Sequence, residues 1–161
     1  MVGVAGVPDV VGVRLAGPDD VTALQSIAVA AYQPYVARMG RAPAPMTADY
    51  AAAVGRGEVW VADRGGVAVG LLVLVSQAGY LLLENVAVHA SAQALGVGAR
   101  LLALAEEQAA LAGFSEIRLY TNAAMTENLA YYPRHGYVET HRAEQDGFQR
   151  VFFTKWLEGG N

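Results

Sequence analysis

The chain has 161 residues, 54% of them hydrophobic, enough for the core of one domain, read over residues 10–161 behind a flexible lead-in of residues 1–9. With 11 basic against 15 acidic residues, a net charge of −4 and no basic cluster, it offers no nucleic-acid face, and no apolar run of roughly 20 residues is present to span a membrane. No cysteine occurs and the one lysine is Lys155, which excludes disulfides, thiolate metal sites, an acyl-cysteine intermediate and a lysine behind a nucleotide-binding glycine loop; a reducing cytoplasm fits.

In chain order, residues 10–15 predict a first strand. Pro18-Asp19-Asp20 opens a helix, with Asp19 or Asp20 as its cap, and apolar spacing through Val21, Leu24, Ile27 and Ala31 carries it to a stop or kink at Pro34. Residues 32–46, broken by prolines and Gly40 and bearing Arg38 and Arg41, read as a loop. Thr47 is placed to cap a short helix over residues 48–54. Residues 58–63 alternate as a strand, Arg64-Gly65-Gly66 makes a tight hairpin into residues 67–76, and Gln77-Ala78-Gly79 turns again into residues 80–88. A long amphipathic helix over residues 95–112 ends at Gly113. A strand at 114–121, a short helix starting at Thr126-Glu127-Asn128, and strands at 136–141 and 148–156 around Asp146-Gly147 complete the chain. That order describes a mixed α/β sheet with helices packed on it. Charged residues are only 16% of the chain, below the usual quarter, which a large buried fraction or a homodimer interface would explain.

The chemistry-bearing segment is residues 81–102, LLLENVAVHASAQALGVGARLL. A buried strand runs into a glycine-containing turn at a helix start. Glycines let the backbone approach a ligand, and the free first-turn amides carry about half a positive charge. Such a turn is either a phosphate site or a close helix–sheet contact. The dinucleotide fingerprint does not fit, because Leu101 stands where its third glycine belongs. His89, His135 and His141 have no metal-ligand spacing.

The pattern Gln93-x-x-Gly96-x-Gly98, preceded by Glu84-Asn85-Val86-Ala87-Val88-His89, resembles the signature loop of the GCN5-related N-acetyltransferases (GNAT superfamily). Downstream, Asn128-Leu129-Ala130-Tyr131-Tyr132-Pro133-Arg134-His135-Gly136-Tyr137 resembles that family's Asn-x-x-x-Tyr-x-x-x-Gly-aromatic segment. The resemblance implies a mostly antiparallel twisted sheet of about seven strands, splayed between the fourth and fifth and flanked by about four helices. It implies an acetyl-CoA-dependent transferase, without metal, that moves the acetyl group directly onto a primary amine of a small molecule, peptide or protein in a ternary complex. The alternative is a non-catalytic acyl-CoA-binding sensor or regulatory module.

Carried over by position, the amides of Gln93, Ala94, Leu95, Gly96, Val97, Gly98 and Ala99 would hold the pyrophosphate of CoA. The backbone of Val86, Ala87 and Val88 would run along the pantetheine arm, and Asn128 would reach its pantetheine or phosphate end. Tyr132 would face the departing sulfur, with Tyr131 competing for the position. Glu84, on the face of Val86 and Val88 by the strand period of two, would serve as base or substrate anchor, with a water relay or His89 in reserve. Two departures stand out: Leu95 replaces the arginine or lysine of many relatives, and Pro133 is expected to tilt or end the short helix and shift the Tyr132 hydroxyl.

An alkyl amine near pKa 10 is only about one part in a thousand neutral at pH 7, about 4 kcal/mol of barrier unless a base helps. A carboxylate near pKa 4 is a poor base, so Glu84 needs a raised pKa or a relay. A phenol near pKa 10 protonates a thiolate near 8.5 only uphill, by about 2 kcal/mol, so hydrogen bonding suffices as a role for Tyr132. Tyr32, Tyr35, Arg38 and Arg41 either offer rings and positive charge to an acceptor whose amine carries a carboxylate or phosphate beside it, or belong to an ordinary surface loop or dimer contact.

Overall fold

Four strands begin the sheet in a computed structural model that describes residues 10–158; the expected lead-in over residues 1–9 lies outside the described residues. These are β1 (Val11–Leu15), β2 (Val59–Arg64), β3 (Val67–Gln77) and β4 (Tyr80–Val88), each antiparallel to the one before. Helix α4 (Val97–Leu111) then crosses over, and β5 (Glu116–Asn122) joins β4 in parallel. Antiparallel β7 (Phe148–Trp156) and β6 (Val138–Gln145) complete a seven-stranded sheet in the order β1-β2-β3-β4-β5-β7-β6. Asp146 and Gly147 connect the last two, both left-handed at φ 53° and 81°, the backbone that a two-residue hairpin requires and that Asp-Gly supplies readily.

Two apolar clusters lie on opposite faces of this sheet. On one, Leu24, Ile27 and Ala28 of α1 (Val21–Tyr32) and Tyr50 and Ala53 of α3 (Tyr50–Gly55) meet Val59, Val61, Leu71 and Val73. On the other, Val97, Leu101, Leu102, Leu104, Ala105 and Ala109 of α4 meet Leu72, Leu74, Leu81, Leu83, Ile117 and Leu119. Each fully buried leucine or isoleucine contributes about 1.5–3 kcal/mol, so these two stripes hold the layers together. No helix among the described residues is long and apolar enough to cross a membrane.

Several boundaries differ from the sequence expectation. Residues 32–46 are not an open loop: they hold α2 (Tyr35–Met39) and a 3-10 turn at Ala44–Met46. With α5 (Thr126–Arg134), five α-helices are present among the described residues rather than about four. Helix α3 starts at Tyr50 behind Asp49, whose carboxylate accepts the Ala52 amide at 3.0 Å, while the Thr47 hydroxyl turns back to the Ala44 carbonyl. Asp20 does not cap α1 with its side chain, because it accepts from Arg14 at 2.8 and 2.9 Å and from the Gly17 amide. Pro133 does not stop α5, which runs one residue past it; a proline in the last turn forfeits only one helix bond there.

Candidate active site

Strands β4 and β5 pair only at Leu81 with Ile117 and Leu82 with Arg118. Just beyond, β4 carries one extra residue: Leu83 pairs with Leu74 and Asn85 with Val73, leaving Glu84 between them. A bulge bends the strand that holds it, and this one falls where β4 leaves β5. It also resets the side-chain phase. Leu81 and Leu83 belong to the α4-side cluster and Ala87 to the opposite one, while Val86 and Val88 pack toward α4. Glu84 therefore does not share the face of Val86 and Val88, as a strict period of two predicts; it is turned toward Tyr50, Arg56 and Glu58.

On that face a cavity of about 410 Å³ opens against β4 and β5. Tyr32 of α1, Tyr50 of α3, and Asn128 and Tyr132 of α5 all line it, together with Glu84, Asn85 and Val86. Buried Asn85 holds this wall together. Its Oδ1 accepts from the Tyr32 hydroxyl at 2.5 Å, and its Nδ2 donates to the Tyr50 hydroxyl at 3.0 Å, which donates to the Pro45 carbonyl at 2.6 Å. A buried amide is tolerable because both ends are paired. Burial and the neighbouring Glu58 charge raise the Glu84 pKa, with Arg56 opposing. Burial pushes the Tyr50 hydroxyl to about 12, and that of Tyr132 further up. Asn128 spends its amide on Thr121 Oγ1 at 2.9 Å, pinning α5 to the end of β5.

The glycine turn lies at the start of α4. Gln93, Ala94 and Leu95 fall in a 3-10 turn (Ala90–Leu95), so the expected single helix from residue 95 is divided at Gly96. Gly96 is left-handed at φ 79°, a conformation that costs an L side chain about 1–2 kcal/mol and interrupts α-helical bonding. The first helical bond runs from the Arg100 amide to the Gly96 carbonyl, so the amides of Val97, Gly98 and Ala99 precede the ladder, and no side chain caps them. Gly98 also has a packing reason: a Cβ there would stand 2.9 Å from the Tyr131 hydroxyl. Gln93 folds its amide back onto the Val88 carbonyl at 3.2 Å, and His89 accepts the Ser91 amide at 3.1 Å, so His89 caps this turn and does not line the cavity.

Of the four expected acceptor residues, the structure brings only Tyr32 into the cavity wall. Tyr35 packs 6.4 Å from the Tyr32 ring and beneath the Arg38 guanidinium. Arg38 grips both Glu127 oxygens at 2.7 and 3.1 Å and the Ala124 carbonyl at 3.0 Å; Arg41 donates to the Asp146 carbonyl at 2.7 Å and stacks 3.6 Å over Phe148. Both arginines thus strap α2 and the following segment onto α5 and the β6–β7 turn. Arg56 and Arg150 line the cavity in their place. Sequence reasoning passed over them, and over Tyr50; only the position of Asn85 inside the first motif signalled its importance. Among the described residues no group of three or more His, Asp or Glu side chains is placed to hold a metal ion.

Residues 55–139 match the family model described as an acetyltransferase (GNAT) domain. No protein of curated function matches the sequence. Solved structures do. The PaiA N-acetyltransferase of Thermoplasma acidophilum, in complex with coenzyme A, superposes with a TM-score of 0.78 at 16% identity, covering 92% of this chain and 99% of that one. Arabidopsis thaliana Naa50, bound to a bisubstrate analogue, gives 0.71 at 16% identity over 91% and 99%. YncA, a putative acetyltransferase of Salmonella typhimurium with acetyl-CoA, gives 0.68 at 18% identity over 92% and 95%. Likenesses this distant speak for the fold; the sequence match, which takes in the parting of β4 from β5, the glycine turn and α5, speaks for descent. The chain belongs to the GNAT acetyltransferase family.

Proposed function

We propose that this protein moves the acetyl group of acetyl-CoA directly onto a primary amine, of a small molecule or of a peptide or protein, in a ternary complex and without metal. One observation carries the reading: the cavity with Glu84 lies on the α1–α3 face of the sheet at the parting of β4 and β5, while Tyr132, rooted in the α4-side cluster, reaches it from the other face. Donor and acceptor can thus meet through the gap. The fit of acetyl-CoA is supported by the uncapped amides of Val97, Gly98 and Ala99, by the strand edge at Val86, Ala87 and Val88 beyond the last pair with β5, and by the CoA or acetyl-CoA held by two of the similar structures. Absence of cysteine and low charge content support a cytoplasmic homodimer as its setting.

In this scheme the amine enters as ammonium and gives its proton to Glu84, directly or through water. Nitrogen then bonds the carbonyl carbon, the carbon–sulfur bond breaks with its electron pair going to sulfur, and the second proton that nitrogen sheds passes through water to the thiolate, giving amide and CoA thiol. The raised pKa of Glu84 narrows the proton gap to the amine. Burial of Tyr132 widens the gap between phenol and thiol, so its role is to donate a hydrogen bond to the developing thiolate rather than to hand over its proton.

Calorimetric titration with acetyl-CoA, CoA and ATP, followed by thiol release across an amine panel, tests this. Acetyl-CoA and CoA should bind and ATP should not, with thiol released only when an amine is present. Binding without release for any amine would support the sensor alternative; stoichiometric CoA release before acceptor is added would contradict direct transfer. For the phosphate site, Gly96 is a poor position to mutate because its left-handed backbone would confound the result. Ala99 is exposed in the first turn of α4. Ala99→Glu favours the helix but sets a carboxylate among the amides, and should weaken acetyl-CoA tenfold or more without lowering Tm. Unchanged affinity would refute the placement.

A further inference from the structure

Four charged side chains line the cavity: Asp49, Arg56, Glu84 and Arg150. Two are already engaged, Asp49 with the Ala52 amide at 3.0 Å and Arg56 with Glu58 at 2.9 Å. Glu84 and Arg150 form no ion pair among the described residues. Arg150 is nevertheless held in place. Its Nη1 donates to Gln145 Oε1 at 2.8 Å, a neutral acceptor, and its guanidinium lies 4.3 Å over the Tyr120 ring and 5.5 Å from Phe148. Stacking fixes the plane of the fork but leaves its charge uncompensated, which is the state of an arginine ready to take a carboxylate. Glu84 stands on β4 and Arg150 on β7, with β5 between them, so one negative and one positive group face a shared space from opposite sides.

Size points the same way. About 410 Å³ is at the small-molecule end of ligand pockets. Met39 and Phe148 line both this cavity and a second, outer groove, so they form the partition between them, and Arg41 stacks on that same Phe148. The Arg38–Glu127 and Arg41–Asp146 contacts tie the segment that carries Met39 to α5 and to the β6–β7 turn beside Phe148.

We infer that the acceptor is a small amine that also carries a carboxylate, bound with its ammonium toward Glu84 and its carboxylate on Arg150. This rests on the acetyl-transfer reading for the chemistry, but the site itself can be tested by binding alone. The sequence offered Arg38 and Arg41 as one reading for such an anion; both are engaged elsewhere, and the inference places it on Arg150 instead.

The test compares benzylamine, 4-(aminomethyl)benzoate and its methyl ester, and phenylalanine with phenylalaninamide. Each is measured by thiol release with acetyl-CoA and by calorimetric binding with CoA present, in the wild type, Arg150→Gln and Arg150→Lys, all checked for folding by circular dichroism. The carboxylate member should be favoured at least tenfold in kcat/KM or Kd in one or both sets. Arg150→Gln should shrink that preference to within twofold, and Arg150→Lys should restore part of it. Equal handling of charged and neutral members, no binding of any of them, or a preference that survives Arg150→Gln would overturn the inference while leaving acetyl transfer to be judged on other amines. Carboxylate-dependent binding without thiol release would show a ligand site but overturn its assignment to the acceptor, again leaving acetyl transfer to be judged on other amines.

Discussion

Glu84 derives its environment from being the extra residue of a bulge. Had β4 kept its register, the carboxylate would have followed Val86 and Val88 toward α4; instead it shares a wall with Tyr50 and Asn85. Activity should need its ionised form. The rate at limiting substrate should therefore rise with pH through a midpoint above the ordinary glutamate value, then fall near the amine's own pKa as the ammonium form that binds is lost. Glu84→Gln should lower kcat by about 100-fold or more and erase the acid limb, leaving a residual rate that rises only as the amine itself deprotonates. A Gln variant with the wild-type profile would leave a water relay as the route. At this scale the sequence motifs located Glu84, Asn128 and Tyr132 well enough to place all three on one cavity. They could not assign the arginines. The charge of Arg38 and Arg41 is visible in the sequence, but their partners lie 89 and 105 residues away, and nothing local announces Glu127 or the Asp146 carbonyl.

Two elements act on the site from a distance. Helix α4 presses its first residues so close to β3 that Gly70 has no room to grow: a Cβ there would stand 3.0 Å from Val97 Cγ1, 3.1 Å from Leu101 Cδ1 and 3.3 Å from the Ala87 carbonyl. Gly70→Ala should cost about 1–3 kcal/mol, seen as a Tm lower by several degrees, and should also weaken acetyl-CoA by shifting the turn. A neutral Gly70→Ala would mean that α4 can slide. The α2 strap works differently, through exposed contacts that add little to stability. Arg41→Ala combined with Glu127→Gln should leave Tm nearly unchanged yet raise kcat/KM for bulky or peptidic amines several-fold relative to small ones. If the ratio does not move, the strap is not what limits the acceptor. Strands and long helices were legible because their apolar periods are local, and Tyr80–Val88 and Phe148–Trp156 match to the residue. Helix α2 was not, since Pro34, Gly40 and Pro43 mark breaks without revealing that the five residues between Pro34 and Gly40 suffice for a turn and a half.

Across the whole molecule, one sheet with a gap serves as floor for both faces. Local patterning prescribes the order of elements, and the family likeness supplied the splay; the bulge that accompanies it depends on which residues pair across β3 and β4, information that no single strand contains. The partition of labour has a consequence for how such a protein changes. On the proposed reading, substitutions along α2, α3 and the β6–β7 turn would reshape what is accepted without disturbing the segment from Gln93 to Ala99, and the reverse would also hold. A lineage built on that plan could adopt new nitrogen compounds one after another while its currency, the activated acyl carrier, stayed the same.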